Sequence, residues 1–406
     1  MSQSSSTPLE PQKRLTNLDV IRGVALLGIL LMNIQAFSLH FAAYSNPLAL
    51  GPINDTDYLI YYFNHIFADQ KFMTLFATLF GVGVVLMTDK LDSKGAATRK
   101  IHFKRMIILM FIGLLHAYFL WFGDILFTYA IAGFIVYSMR RKSVKFLIIT
   151  GVTLLSLTSL TLYGIALALP HILIEDPQAI TDMTTYWAPS QAQIADDIAA
   201  NQMGWVAAIE HRVAMAAYMQ SNILFYLPRV IALMCIGMAL YKLNLFGNAL
   251  SNKRLARYCM VSLSIGITLS IVGIMQNNAS GWPLEAMLSG QLYNYWGSIF
   301  SAFAYLCALI MFCRSTMLIK LKQLLANIGK MALTNYLTQS LICCFVFSGW
   351  GLGLYGTMTR SELVVVVIAV WVCQIGFSAL WMSNFKFGPV EWLWRCLTYS
   401  QWQSIK

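Results

Sequence analysis

The sequence predicts an all-α polytopic membrane helical bundle of about ten transmembrane helices, with an extracytoplasmic helical loop between spans five and six. Three observations carry this. Of 406 residues, 58% are hydrophobic and 11% charged, whereas roughly a quarter of a soluble domain is charged. The apolar residues gather in runs close to the ~20 residues a helix needs to cross a ~30 Å hydrocarbon core. The net charge of +11 is concentrated in alternate connections between those runs.

The runs lie at 20–40, 71–88, 105–121, 124–139, 146–169, 223–241, 257–276, 293–313, 331–349 and 362–382. Lys13 and Arg14 precede the first. Lys90, Lys94, Arg99, Lys100, Lys104 and Arg105 separate the second from the third, and Arg140, Arg141, Lys142 and Lys145 follow the fourth. Lys242, Lys253, Arg254 and Arg257 lie between six and seven, and Arg314, Lys320 and Lys322 between eight and nine. The intervening loops carry almost no Lys or Arg. By the positive-inside rule both termini are expected in the cytoplasm. The basic surplus is thus topological and gives no footprint for nucleic acid.

Asp19 and Arg22 enter the first run and nine more follow, so it reads as an uncleaved helix, not a signal peptide. The chain then divides into a disordered N-terminus (1–13), an N-terminal membrane half (14–170), an extracytoplasmic loop (171–222), a C-terminal membrane half (223–385) and a cytoplasmic interfacial tail (386–406). The loop holds six acidic residues against Arg212 alone. Its helical spacing of apolar residues predicts one or two amphipathic helices lying over the outer mouth. The eight cysteines show neither a disulfide framework nor metal-ligand spacing, so no metal is expected.

Polar residues inside apolar spans are expensive and need pairing or a function. Asp19 and Arg22, three apart, can pair at the cytoplasmic end of span one, while Asn33 lies near its outer end. Lys71 begins span two near the outer surface, where it can snorkel or neutralise an anionic group held inside. Gly81 and Gly83 permit close helix approach. In "GLLHAYFLWFGDIL", Gly123 allows a tight turn and Asp124 can cap span four, so His116 and Asp124 face each other across an outward hairpin. A histidine with its tautomer fixed by a carboxylate suits a general base; a structural hydrogen bond between adjacent helices accounts for the pair equally well. His40 and His65 compete for the role. In span nine Asn335 and Gln339 share a face, either joining helices or lining a polar cavity. Glu391 and Arg395, amid tryptophans in "GPVEWLWRCLTY", suit a cytoplasmic interfacial helix.

"LTNLDVIRGVALLGILLMNI", "KFMTLFATLFGVG", "GLLHAYFLWFGDILFTYA", "IGKMALTNYLTQS" and "GPVEWLWRCLTY" together resemble the YeiB-like family of bacterial inner-membrane proteins, defined by a domain of unknown function (418). The resemblance runs in matching order from about residue 14 to 399. More distantly, "LDVIRG" followed by an asparagine late in the same helix resembles the transmembrane acyltransferase superfamily. The "H…WNG" tract of its heparan enzymes is missing, as is the Arg-to-His motif of its O-acetyltransferases, which leaves the identity of the base open. That resemblance implies acyl transfer from cytoplasmic acyl-CoA, a cosubstrate and not a bound cofactor, to an extracytoplasmic hydroxyl or amine such as that of an envelope glycan. His116 would be the base, Asp124 its orienting partner, and Lys71 or Asn33 the oxyanion stabiliser. Asp19 and Arg22 would hold CoA, and Asn335, Gln339, Glu391 and Arg395 would contribute to substrate binding. A transporter of a small polar solute and a non-catalytic envelope scaffold remain the alternatives.

Overall fold

The computed structural model describes residues 11–175 and 177–406, and among these it contains helices and no strands. The expectation of a disordered N-terminus falls mainly outside the described residues, although α1 (Pro11–Ser38) already begins at Pro11. There follow α2 (Asp55–Phe67), α3 (Lys71–Ser93), α4 (Thr98–Phe119), α5 (Leu126–Tyr137), α6 (Val144–Glu175), α7 (Pro177–Trp187), α8 (Gln191–Asn201) and α9 (Ile209–Ser221). The second half comprises α10 (Ile223–Lys242), α11 (Asn252–Ser280), α12 (Gln291–Arg314), α13 (Ile319–Lys330), α14 (Ala332–Phe347), α15 (Arg360–Asn384) and α16 (Pro389–Tyr399).

Eight helical stretches are long and apolar enough to cross a membrane, and α5 and α14 are shorter apolar helices at the positions of spans four and nine. At about 1.5 Å per residue, α5 extends only some 18 Å and α14 some 24 Å. Neither crosses the hydrocarbon alone. The loop expected to hold one or two helices holds three, α7 to α9, and α6 itself runs on to Glu175.

α1 is the central helix, with 78% of its apolar window buried, whereas the corresponding window of α6 is 17% buried. Close crossings depend on missing side chains: a Cβ at Gly329 would overlap the Asp19 carbonyl, and one at Gly237 would overlap that of Thr78. Gly81 likewise seats α3 on α10 against Met234, but Gly83 faces open space and makes no such approach. Level by level, Leu26 packs with Leu109 and Leu333, while Leu30 and Phe37 pack with Trp121, Cys343 and Cys344. α1, α4 and α14 therefore rise side by side in the same direction.

Candidate functional site: a histidine held between α4, α5 and α14

The α4–α5 connection is short and locally determined. His116 O accepts from the N–H groups of Leu120 and Trp121 at 3.0 and 2.9 Å, ending α4. Asp124 Oδ1 accepts from Phe127 N at 2.8 Å, satisfying one orphan donor of α5. Gly113 makes room, since a Cβ there would press on Asp124 Oδ1 and Phe127 N. Tyr336 of α14 donates to Gly123 O at 3.2 Å and accepts from Ile125 N at 3.3 Å, so the turn is fixed from both sides.

Within this frame His116 Nδ1 lies 2.8 Å from Asp124 Oδ2, and His116 Nε2 lies 2.8 Å from Ser340 Oγ. A carboxylate accepts, so Nδ1 carries the proton and Nε2 accepts from the serine hydroxyl. Among the described residues that hydroxyl has one other acceptor, Tyr336 O, at a longer 3.4 Å. The His116 and Asp124 side chains are 1% and 2% exposed. Ser340 is buried as well. Trp121 stacks on Phe37 at 3.9 Å, and its ring lies 6.3 Å from that of His116. Its indole N–H is buried and has no acceptor among the described residues. Beside Asp124 lies a small crevice of about 20 Å³, little more than the space of one water, lined by Ala117, Phe122, Phe127, Met219, Gln220 and Ile223 among others.

Asn33 belongs to this level by register. Leu26, Leu109 and Leu333 form one layer, and Asn33, His116 and Ser340 each lie seven residues, about two turns, further along parallel helices. Asn33 is half-buried. Lys71 is elsewhere. It is wholly buried and does not snorkel: Nζ donates to His65 O at 2.6 Å, to Ser270 Oγ at 3.2 Å and to Asn294 Oδ1. Asn294 in turn donates to Asp69 Oδ2 at 2.7 Å, and His65 Nδ1 lies 3.3 Å from the same oxygen. The left-handed Gln70 at the α2–α3 junction turns the chain so that Lys71 starts α3 beneath α11 and α12.

The other residues singled out from sequence divide similarly. Asp19 and Arg22 form an ion pair of 2.7 Å, partly exposed at the end of the bundle that also carries α16. Asn335 donates to Ser378 Oγ at 2.9 Å, Gln339 to Gln374 Oε1 at 2.8 Å, and Gln374 to Asn335 O at 2.7 Å, forming a closed amide ladder between α14 and α15. Glu391 does not turn to Arg395. Its carboxylate accepts from Leu333 N at 2.6 Å, Thr334 N at 3.0 Å and Thr334 Oγ1 at 2.5 Å, capping α14. Burial raises the Glu391 pKa, and these hydrogen bonds oppose that rise. Arg395 stacks on Phe387 at 4.3 Å.

Sequence reasoning missed Ser340, Trp121 and the anchoring of the loop helices. A serine in an apolar helix usually bonds its own backbone, so "NYLTQS" gave no signal. Over the α4 end, Trp205 donates to Phe119 O at 2.9 Å and Tyr118 to Gln220 at 3.0 Å. Asp197 accepts from Tyr355 at 2.6 Å and pairs with His211 at 3.2 Å, tying α8 and α9 to the α14–α15 loop. His40, on the segment after α1, lies near enough for its charge to influence Asp197. Among the described residues no group of three or more His, Cys, Asp or Glu is arranged to hold a metal ion.

Residues 240–401 match the family model described as "Protein of unknown function (DUF418)". The chain is 35% identical to the uncharacterized protein YeiB of Escherichia coli (strain K12), over 95% of this chain and 96% of that protein. It is 29% identical to the uncharacterized protein YxaH of Bacillus subtilis (strain 168), over 99% and 98% of the two. No solved structure matches. The similarity to YeiB spans His116, Asp124 and Ser340 together, and so extends well beyond the segment matched by the family model. The chain therefore belongs to the YeiB-like DUF418 family.

Proposed function

We propose that this protein is a transmembrane acyltransferase that moves an acyl group from cytoplasmic acyl-CoA to a hydroxyl or amine acceptor outside, such as an envelope glycan. The observation that carries the reading is His116, held at 2.8 Å by Asp124 on one ring nitrogen and at 2.8 Å by a hydroxyl on the other. A base oriented by a carboxylate and already bonded to an O–H is the arrangement that acyl transfer requires. The bacterial inner membrane is the compartment proposed, with the basic loops and both termini in the cytoplasm. The Asp19–Arg22 pair then lies at the cytoplasmic mouth, and Arg22 is roughly 16 Å along α1 from Asn33 at 1.5 Å per residue. This span suits an extended cosubstrate whose phosphates stay at the inner mouth while its thioester reaches the base.

On this reading His116 moves the proton and Asp124 keeps its tautomer. Asn33 and the indole N–H of Trp121 would then stabilise the thioester oxyanion, a task for donors not already engaged. Lys71, with three acceptors already on Nζ, is not free for it. Asn335, Gln339 and Glu391 contribute by holding α14, and with it Ser340, in register.

The test uses the purified protein in lipid nanodiscs with radiolabelled acetyl-CoA and envelope glycan extract, following thiol release and label transfer. Turnover in wild type that disappears in folded His116→Gln supports the reading; absence of thiol release with acyl-CoAs of short, medium and long chain overturns it. A second reading, a transporter of a small polar solute, is favoured by the buried Lys71, Asp69 and His65 cluster, since ionisable groups inside a membrane often mark a pathway. It predicts solute counterflow in liposomes that is lost in Asp69→Asn.

A further inference from the structure

We infer that Ser340 is a covalent acyl carrier, so that transfer runs in two steps through an acyl-serine ester on α14. This deepens the reading above and rests on it for the identity of the donor. The Ser340 Oγ to His116 Nε2 distance of 2.8 Å and the His116 Nδ1 to Asp124 Oδ2 distance of 2.8 Å order nucleophile, base and orienting carboxylate as in a serine triad. The three groups come from α14, α4 and the α4–α5 turn, so the order is made by the tertiary fold. An adventitious serine in a membrane helix satisfies itself on the carbonyl four residues back; here that contact is the longer one, at 3.4 Å. The unpartnered buried N–H of Trp121 is a second, independent feature. Leaving such a donor unsatisfied in an apolar setting is costly, and a tetrahedral oxyanion would satisfy it.

In the first step the Ser340 proton passes to His116 Nε2 as Oγ attacks the thioester carbonyl. The tetrahedral adduct collapses with cleavage of the C–S bond, and His116 returns the proton to the departing thiolate, giving free CoA thiol and acyl-Ser340. In the second step His116 takes a proton from the acceptor hydroxyl or amine, which attacks the ester. The C–Oγ bond breaks and the proton returns to Ser340. No oxidant, metal or further co-reactant is needed.

The experiment uses the full chain in nanodiscs with two probes, a biotinylated fluorophosphonate and acetyl-CoA without acceptor, followed by intact mass and peptide mapping. The fluorophosphonate forms an Oγ–P bond at an activated serine and expels fluoride, whatever the natural donor is. Expected are a stoichiometric adduct on Ser340, its loss in Ser340→Ala, and labelling at least about a hundredfold slower in His116→Gln, which preserves hydrogen bonding in the core. Thermal unfolding of each variant accompanies the labelling, and Ser340→Cys, treated with an alkylating thiol probe, provides a folded control that keeps a nucleophile at the site. Absence of an adduct on Ser340 in wild type, or an equal rate in His116→Gln, overturns the inference. Acetyl-CoA turnover that persists in Ser340→Ala overturns it too, while leaving acyl transfer itself standing as a direct reaction. Labelled Ser340 with no thiol release from any acyl-CoA sustains the nucleophile and removes the donor.

Discussion

Two of the buried polar clusters in this bundle differ in how their donors are used, although Asp69 Oδ1 beside Lys71 also has no partner among the described residues. Around Lys71 every donor on the ammonium has an acceptor, from a backbone carbonyl, a hydroxyl and an amide on three different helices. Around His116 each ring nitrogen has one partner, but the hydroxyl proton of Ser340 is movable and the Trp121 N–H is unused. The first arrangement locks helices together. The second leaves an indole N–H without a partner among the described residues, which on the proposed reading the substrate supplies. Burial of polar side chains in a membrane is common to both, so burial alone does not identify a site; the count of satisfied donors separates them.

The comparison breaks most directly at His116. His116→Ala is expected to lower acyl turnover by about 10³-fold or more with a fold still intact by unfolding temperature, since it removes base and alignment together. Lys71→Met is expected to do the reverse. It leaves Asp69, Asn294 and Ser270 without their cation and costs about 3–5 kcal/mol of stability, read by denaturant titration in nanodiscs, with turnover per folded molecule unchanged. A folded Lys71→Met that has lost turnover would show that the two clusters act as one. Asp124→Asn sharpens the contrast. It keeps the shape of the turn but weakens control of the His116 tautomer, and should slow turnover by about a hundredfold while shifting stability by about 1 kcal/mol.

The smallest effect is expected in the loop helices, and it depends on pH. Burial alone would raise the Asp197 carboxyl, but hydrogen bonds from His211 and Tyr355 outweigh it and hold the group below the usual carboxylate range. Its stabilisation is therefore complete above the ordinary value near 3.9 and is lost as pH falls through the lower folded value. His40 acts in the same direction: burial, opposed by Asp197, lowers its pKa, so neutral His40 becomes progressively harder to keep as pH falls below about 6.5. Hydrogen exchange over residues 191–221 should then accelerate in acid by several-fold. Asp197→Asn should show faster exchange at pH 7 and a much smaller acid step; an unchanged step would remove Asp197 from the account.

The helical class and ten apolar segments were legible in the sequence because the bilayer imposes length and hydropathy on each segment separately. The cap at Asp124 was also legible, since it is set within a few residues. His116 and Asp124 belong to the same group: eight residues apart across one turn, they meet because the turn is tight. The partner on the other ring nitrogen was not legible. Ser340 is 224 positions away, and its approach depends on how α4 and α14 rotate against one another. Between membrane helices that rotation is decided by close packing and polar pairing, which hydropathy does not encode. For the same reason the burial of Lys71 beneath α11 and α12, the amide ladder of Asn335 and Gln339, and the turn of Glu391 toward α14 appeared only in three dimensions. The sequence by itself determined which segments enter the membrane and which polar residues enter with them. The tertiary structure alone decided which of those residues meet, because the same apolar surface surrounds every helix and only packing distinguishes one face from another.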